Sequence, residues 1–362
     1  MVFFGNLIYS IAISYFFGKK YKDCQLSDGA LFLLFFHFCA IWLIISGGQY
    51  YVGTDYPTYI GLFDGWGLEL YQEKGEFLFY YIIKICNSIG IHGQGLYYIF
   101  YTINFTLLFL ILKRFQASYL FIFILLYIGY TNIFNNQLNM LRQAVAIHCG
   151  TYACILYCES KAKQCLVWIG IAFFMHVSSI ILLSIYLYPF VKKLNNKWLE
   201  IILIISFIGS FFLNLKTFSF LTDYLPPAYA AHLEKEEMSS SIITSLTKYI
   251  FIPFFYWGLK LLENNSLNDF EKKLFYFGYL GFCFKLLLLK VPIVNRLADY
   301  FIIISAFPIF FYLIDLKKQN KKILFGLICL AIIAFYDYYI TLYITFLDDI
   351  CIFLMHTGNK NF

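Results

Sequence analysis

The chain has 362 residues, of which 61% are apolar, 22% aromatic and only 13% charged. A soluble domain carries about 25% charged residues, so this composition excludes an ordinary water-soluble globule and makes lipid the solvent for much of the surface. The net charge of +6 comes from short Lys and Arg runs between apolar stretches, the pattern of cytoplasmic loops and not of a nucleic-acid-binding face.

A spanning helix needs roughly 20 mostly apolar residues. Segment 1–17 has no basic stretch ahead of it, and Lys19, Lys20 and Lys22 follow, which predicts a retained first helix with its N-terminus outside, not a cleaved signal. Further spans are expected at 29–47, 94–112, 117–134, 138–158, 198–214, 245–262, 274–290, 297–315 and 323–345. With no internal repeat and no linker, residues 1–362 read as one all-α polytopic membrane domain. Counting the less ordinary segments, it has roughly 10–12 transmembrane helices plus re-entrant pieces.

Loop charge then sets the topology. Placing Lys113–Arg114, Lys161–Lys163, Lys192–Lys193, Lys272–Lys273 and Lys317–Lys322 inside puts loop 48–75 outside. Only one crossing is then allowed before Lys113. Segment 94–112 supplies it, so 76–91 is expected to be re-entrant and buried in protein or lining a cavity. Basic residues flank 165–190 on both sides, which predicts a tight hairpin with His176 near its outer top, or else one long tilted helix. Segment 215–244 is expected to be the longest outer loop. Asp55, Glu76, Arg142, His176 and Arg296 all fall toward the outer face, although none was used to set it.

Most of the ten cysteines lie inside apolar runs, and none forms a CxxC pair. Cys154, Cys158 and Cys165 gather near a helix end without a fourth ligand, so buried free thiols are expected and no metal site.

Four polar clusters carry chemistry. In Gly53–Tyr59 a turn presents Asp55, Tyr56 and Tyr59 near the membrane surface, with a plain helix cap by Thr54 or Asp55 ahead of Pro57 as the structural reading. In 135–143, Asn139 and Gln143 lie four apart on an expected helix with Arg142 beside them. An Arg in a span costs roughly 2.5–3.5 kcal/mol on insertion scales unless it faces a partner or water; snorkelling is the alternative. His176 is followed by Ser178 and Ser179, and the alternative there is a satisfied packing residue. Arg296 follows Asn295 and precedes Asp299 and Tyr300, so a local ion pair with Asp299 competes with an anion-binding role. No Walker A, GxGxxG, HExxH or GxSxG pattern occurs, nor a DxD pair. This favours a lipid-linked substrate over a nucleotide-driven reaction.

In their order, these clusters resemble the EpsG-type exopolysaccharide proteins and the related Wzy-type O-antigen polymerases. The matching residues are Gly53, Thr54, Asp55, Tyr56 and Tyr59; Asn139, Leu141, Arg142 and Gln143; Phe174, His176 and Ser178; and Asn295, Arg296, Tyr300 and Phe301. The family's E-P-G-F-like start is echoed by Glu73, Lys74, Gly75, Glu76 and Phe77. Lys74 replaces the Pro, so that either Glu73 or Glu76 is the family's acidic residue. The likeness runs over about residues 50–301.

The resemblance implies a GT-C-like membrane glycosyltransferase needing no cofactor or metal, multi-pass in the bacterial inner membrane with its active site facing the periplasm. It would join undecaprenyl-diphosphate-linked oligosaccharides and release undecaprenyl diphosphate, with membrane lipid and a possible chain-length regulator as its other partners. Arg142 and Arg296 would stabilise the leaving diphosphate, and His176 or Asp55 would serve the acceptor hydroxyl. Tyr56 and Tyr59 would stack on sugars, and Glu76, Asn139, Gln143, Asn295 and Tyr300 would bind substrate. A flippase or transporter for the same lipid-linked sugars, or an O-antigen ligase, are the alternatives.

Overall fold

The computed structural model describes residues 2–21, 28–52, 55–213, 248–338 and 340. Every regular element among them is helical. Packing divides the chain into two compact units: residues 1–70, 81–141 and 316–362 form the first, and 71–80 with 142–315 form the second.

In the first unit, α1 (Val2–Lys20) packs on α7 (Leu120–Leu125), and α2 (Asp28–Gly47) packs on α6 (Gln94–Leu112). Its core is aromatic. Trp42 stacks on Tyr127 with ring centroids 5.9 Å apart, meets Phe105 and Phe134 edge-on, and donates its indole N–H to Ser10 Oγ at 3.0 Å. The unit also holds α3 (Tyr56–Phe63) and α8 (Ile133–Asn136). The short α4 (Glu69–Glu73) and the amphipathic α5 (Phe77–Ser88) each run across the division between units.

The second unit contains α9 (Leu141–Cys158), α10 (Ala162–Met175), α11 (Tyr188–Val191), α12 (Asn196–Phe212), α13 (Ile252–Glu263), α14 (Asp269–Leu287) and α15 (Pro292–Ala298). It ends within α16 (Phe307–Lys318). Local chemistry explains the starts of two of these. Asn195 caps α12 through the Trp198 N–H at 3.1 Å, and Asn268 and Glu271 close a reciprocal capping box on α14.

The hairpin expected at 165–190 is present. The chain breaks at His176, whose φ of −155° and ψ of 112° are extended, and returns as a 3-10 helix over Val177–Leu187. Tyr186 Oη donates to the Ala162 carbonyl at 2.6 Å, which ties the foot of the hairpin. The two arms match in length: 14 residues of α-helix rise about 21 Å, and 11 residues of 3-10 helix about 22 Å. A cavity of about 260 Å³ beside the returning arm is lined by Ile181, Ser184, Leu187, Gly281 and Phe301, among others. The expected re-entrant piece is α5; its 12 residues rise about 18 Å, too short to span.

Among the described residues, two helices, Val2–Lys20 and Gln94–Leu112, are long and apolar enough to cross a bilayer, and a third qualifies if Val294–Phe301 and Ile304–Lys318, bent by 61°, form one span. Several of the other expected spans are interrupted. Segment 117–134 passes from α7 into a π turn at Leu126–Tyr130 and then a left-handed Asn132 with φ of 55°. The helix expected at 138–158 starts only at Leu141. The expected outer loop 215–244, the turn residues Gly53 and Thr54, and the end of the 323–345 span lie outside the described residues.

Candidate active site

The second unit gathers the charged residues. Gly75, with a φ of +82°, turns the chain from α4 into α5, and the next residue, Glu76, donates its backbone N–H to the Tyr71 carbonyl at 2.9 Å. Its carboxylate is only 4% exposed. Oε2 pairs with Arg142 Nη1, and Oε1 lies 3.6 Å from His176 Nδ1. Glu73 is exposed, so the buried acid of the two candidates is Glu76. A buried carboxylate is tolerable only when paired, and the pairing fixes Arg142 in the first turn of α9.

Arg142 is held from other sides as well. Its guanidinium lies 4.4 Å from the Tyr71 ring centroid and 5.3 Å from that of Phe79. Lys74 Nζ approaches the same Tyr71 ring at 5.2 Å.

His176 sits in the break of the hairpin, in neither arm. Ser178 Oγ lies 3.0 Å from its Nδ1 and 2.8 Å from Tyr300 Oη, so this hydroxyl joins the imidazole to the phenol. Burial, reinforced by the positive charges of Arg142, Arg296 and Lys74, pushes the imidazole pKa down to about 3. The ring is therefore neutral at physiological pH. Among the described residues, the charges of Arg142, Arg296 and Lys74 act on it, and the Glu76 carboxylate lies beside it.

Arg296 lies on α15 and is exposed. The alternative reading, a local ion pair with Asp299, does not form among the described residues; Asp299 Oδ1 takes Lys285 Nζ at 2.5 Å. Gln143 Nε2 donates to the Arg296 carbonyl at 2.9 Å and anchors that helix end. Asn295 Oδ1 is buried without a hydrogen-bond partner among the described residues.

The remaining expected site residues belong to the first unit. Asp55 is exposed and stands at the N-cap of α3 without a side-chain cap bond; its backbone N–H donates to Asn139 Oδ1 at 2.9 Å. Asn139 precedes α9, so it does not share a helical stripe with Gln143; the helix begins two residues too late. Tyr56 and Tyr59 are each 5% exposed. Tyr56 stacks on Tyr97 at 5.5 Å with ring planes 5° apart and donates to Gln94 Oε1 at 2.9 Å. Tyr59 packs against Phe63 and Tyr97. Both phenols are therefore committed to packing and present no open ring face for a sugar.

Sequence reasoning did not single out Tyr71 or Lys285, and it met Lys74 only as a departure from the family's motif. Lys285 had a readable signal, a cation inside an apolar stretch; Tyr71 and Lys74 had none. Among the described residues no three His, Cys, Asp or Glu side chains are grouped as metal ligands. Cys154, Cys158 and Cys165 are buried and free.

The described residues, whose regular elements are all helical, with apolar helices long enough to cross a bilayer and a guanidinium–carboxylate pair beside an imidazole, fit a membrane protein. The chain belongs to the EpsG family, whose model matches residues 32–351. No curated protein and no solved structure matches the chain.

Proposed function

We propose that the protein is a polysaccharide polymerase that joins undecaprenyl-diphosphate-linked oligosaccharide units on the periplasmic side of the bacterial inner membrane. On this reading it is a multi-pass, GT-C-like glycosyltransferase. Family membership supports a polymerase role. The observation that carries the chemistry is the gathering of cations around a neutral His176 in the second unit.

In this reading Arg142 and Arg296 receive the donor's diphosphate, the planar guanidinium matching its oxygens. The acceptor hydroxyl oxygen bonds to the donor's anomeric carbon, the carbon–oxygen bond to diphosphate breaks, and undecaprenyl diphosphate leaves with the electron pair. A single in-line displacement inverts the anomeric centre. Glu76 Oε1 beside Nδ1 favours the tautomer with its proton there, which frees Nε2 to accept the hydroxyl proton. Burial is the larger cause of this low pKa, and the cations add to it. A bound diphosphate offsets the part due to the cations, so the imidazole gains basicity as the donor binds.

The test uses purified protein and a defined undecaprenyl-diphosphate oligosaccharide from the native host. The expected product is a ladder spaced by whole repeat units. Transfer of intact substrate across liposomes without a ladder identifies a flippase, and attachment to lipid A core identifies a ligase; either result overturns the polymerase reading.

A further inference from the structure

We propose that Lys285 is a positioning residue that keeps the Arg296 guanidinium available to an anionic ligand by holding the Asp299 carboxylate away from it. The inference rests on the reading that Arg296 binds the donor's diphosphate. Arg296 and Asp299 are three residues apart at the end of α15, the spacing at which opposite charges on a helix pair. Such a pairing would set a competing carboxylate on the guanidinium. In the structure Asp299 reaches Lys285 instead, at 2.5 Å, with both side chains largely buried at 13% and 14% exposure. Arg296 remains exposed and makes no ion pair with any described residue.

The backbone makes this exchange of partners possible. Gly278 and Gly281 lie on the same face of α14 as Lys285, at helical spacings of seven and four. A Cβ at Gly281 would fall 2.7 Å from Phe301 Cβ, and one at Gly278 would meet the Ile304 carbonyl and Pro308. The two glycines therefore let α14 press against residues 299–308 closely enough for Lys285 to reach Asp299. Lys248 also interacts electrostatically with Lys285 and Asp299, so it is varied with Lys285 in the test.

The test measures binding of undecaprenyl diphosphate to the full-length protein in nanodiscs, alongside KM and kcat of the polymer ladder. Lys285→Met is expected to weaken binding about fivefold, on the scale of one competing ion pair, and to raise KM while sparing kcat. Adding Lys248→Met deepens the loss. Lys285→Arg retains wild-type binding. Asp299→Asn binds as wild type, and Lys285→Met/Asp299→Asn returns to within about twofold, because no carboxylate remains to capture Arg296.

A double variant as weak as Lys285→Met would make Lys285 itself the ligand-binding cation and overturn the proposal. So would Asp299→Asn binding as weakly as Lys285→Met, which marks a merely structural pair, or wild-type binding in both Lys285→Met and Lys285→Met/Lys248→Met. If Lys285→Met does not fold, the neutral double variant decides. Undiminished binding in Arg296→Ala instead sinks the diphosphate role of Arg296, a separate failure.

Discussion

The two units handle polar residues in opposite ways. In the first, Gln49, Gln94, Tyr101 and Gln137 bond to one another and to backbone carbonyls, as in Gln94 Nε2 to the Gln49 carbonyl at 2.9 Å and Tyr101 Oη to Gln49 Oε1 at 3.4 Å. All these groups are neutral, and the network orders a buried corner. In the second unit the polar groups are charged, and they are balanced only in part: Glu76 answers Arg142, while Arg296 is left without an ion pair among the described residues. The neutral network carries no charge to be balanced, although Gln137 Nε2 is buried without a hydrogen-bond partner among the described residues. The charged one, on the proposed function, is completed by the donor's diphosphate.

Substitutions can break or sharpen this contrast. The largest effect is expected at Arg142. Arg142→Ala should reduce the ladder by about a hundred- to a thousandfold, on the scale of roughly 2.7–4 kcal/mol for each electrostatic donor. It should also cost about 3–5 kcal/mol of stability by stranding the Glu76 carboxylate. In Arg142→Ala/Glu76→Gln, thermal unfolding should recover while the ladder stays reduced; recovery of both would make the pair structural only.

Next comes His176. His176→Gln should lower kcat about a hundredfold. Imidazole NMR of the empty protein should show no titration of His176 between pH 8 and 5, and added inorganic diphosphate should move its titration upward. The stability link has a definite sign: with a native pKa near 3 against 6.5 when unfolded, the unfolded chain binds the proton first. The contribution of His176 to stability is thus full above pH 6.5 and falls as pH drops toward 3. An ordinary titration near 6.5 in the empty protein would remove the proposed activation by the donor.

Tyr71→Leu removes the ring against Arg142, a contact worth about 1 kcal/mol, and should raise KM about fivefold with little change in kcat. The smallest effect on activity belongs to the first unit. Tyr56→Phe loses the bond to Gln94 and about 1 kcal/mol of stability, while the ladder should stay within about twofold of wild type. A larger loss of activity would give Tyr56 a part in the chemistry that its packing does not suggest.

Much of the second unit was legible because charge is conspicuous in apolar sequence. Basic flanks marked the hairpin that breaks at His176, and the outer-face mapping grouped Asp55, Glu76, Arg142, His176 and Arg296, of which Arg142 and His176 meet Glu76. The first unit was harder to read. Asn139 and Gln143 are four apart in sequence, yet helix α9 begins between them, and nothing in the composition announces that start. Tyr56 and Tyr59 looked like sugar platforms because phenols suit both tasks, and only burial separates a ring that packs from a ring that binds. The Lys285–Asp299 pair was hidden by a nearer candidate partner, Arg296, and depends on two glycines that bring distant segments together.

The returning arm of the hairpin has a further consequence. In a 3-10 helix side chains three apart eclipse, so Ser178, Ile181, Ser184 and Leu187 fall in a single straight row. The first of these touches His176 and Tyr300, and the other three line the cavity beside the arm. An added or deleted residue between them would turn Ser178 away from that row by about 120°, whereas three at once would preserve its aim. The segment counts in threes, and natural length variation within it is expected to keep that count.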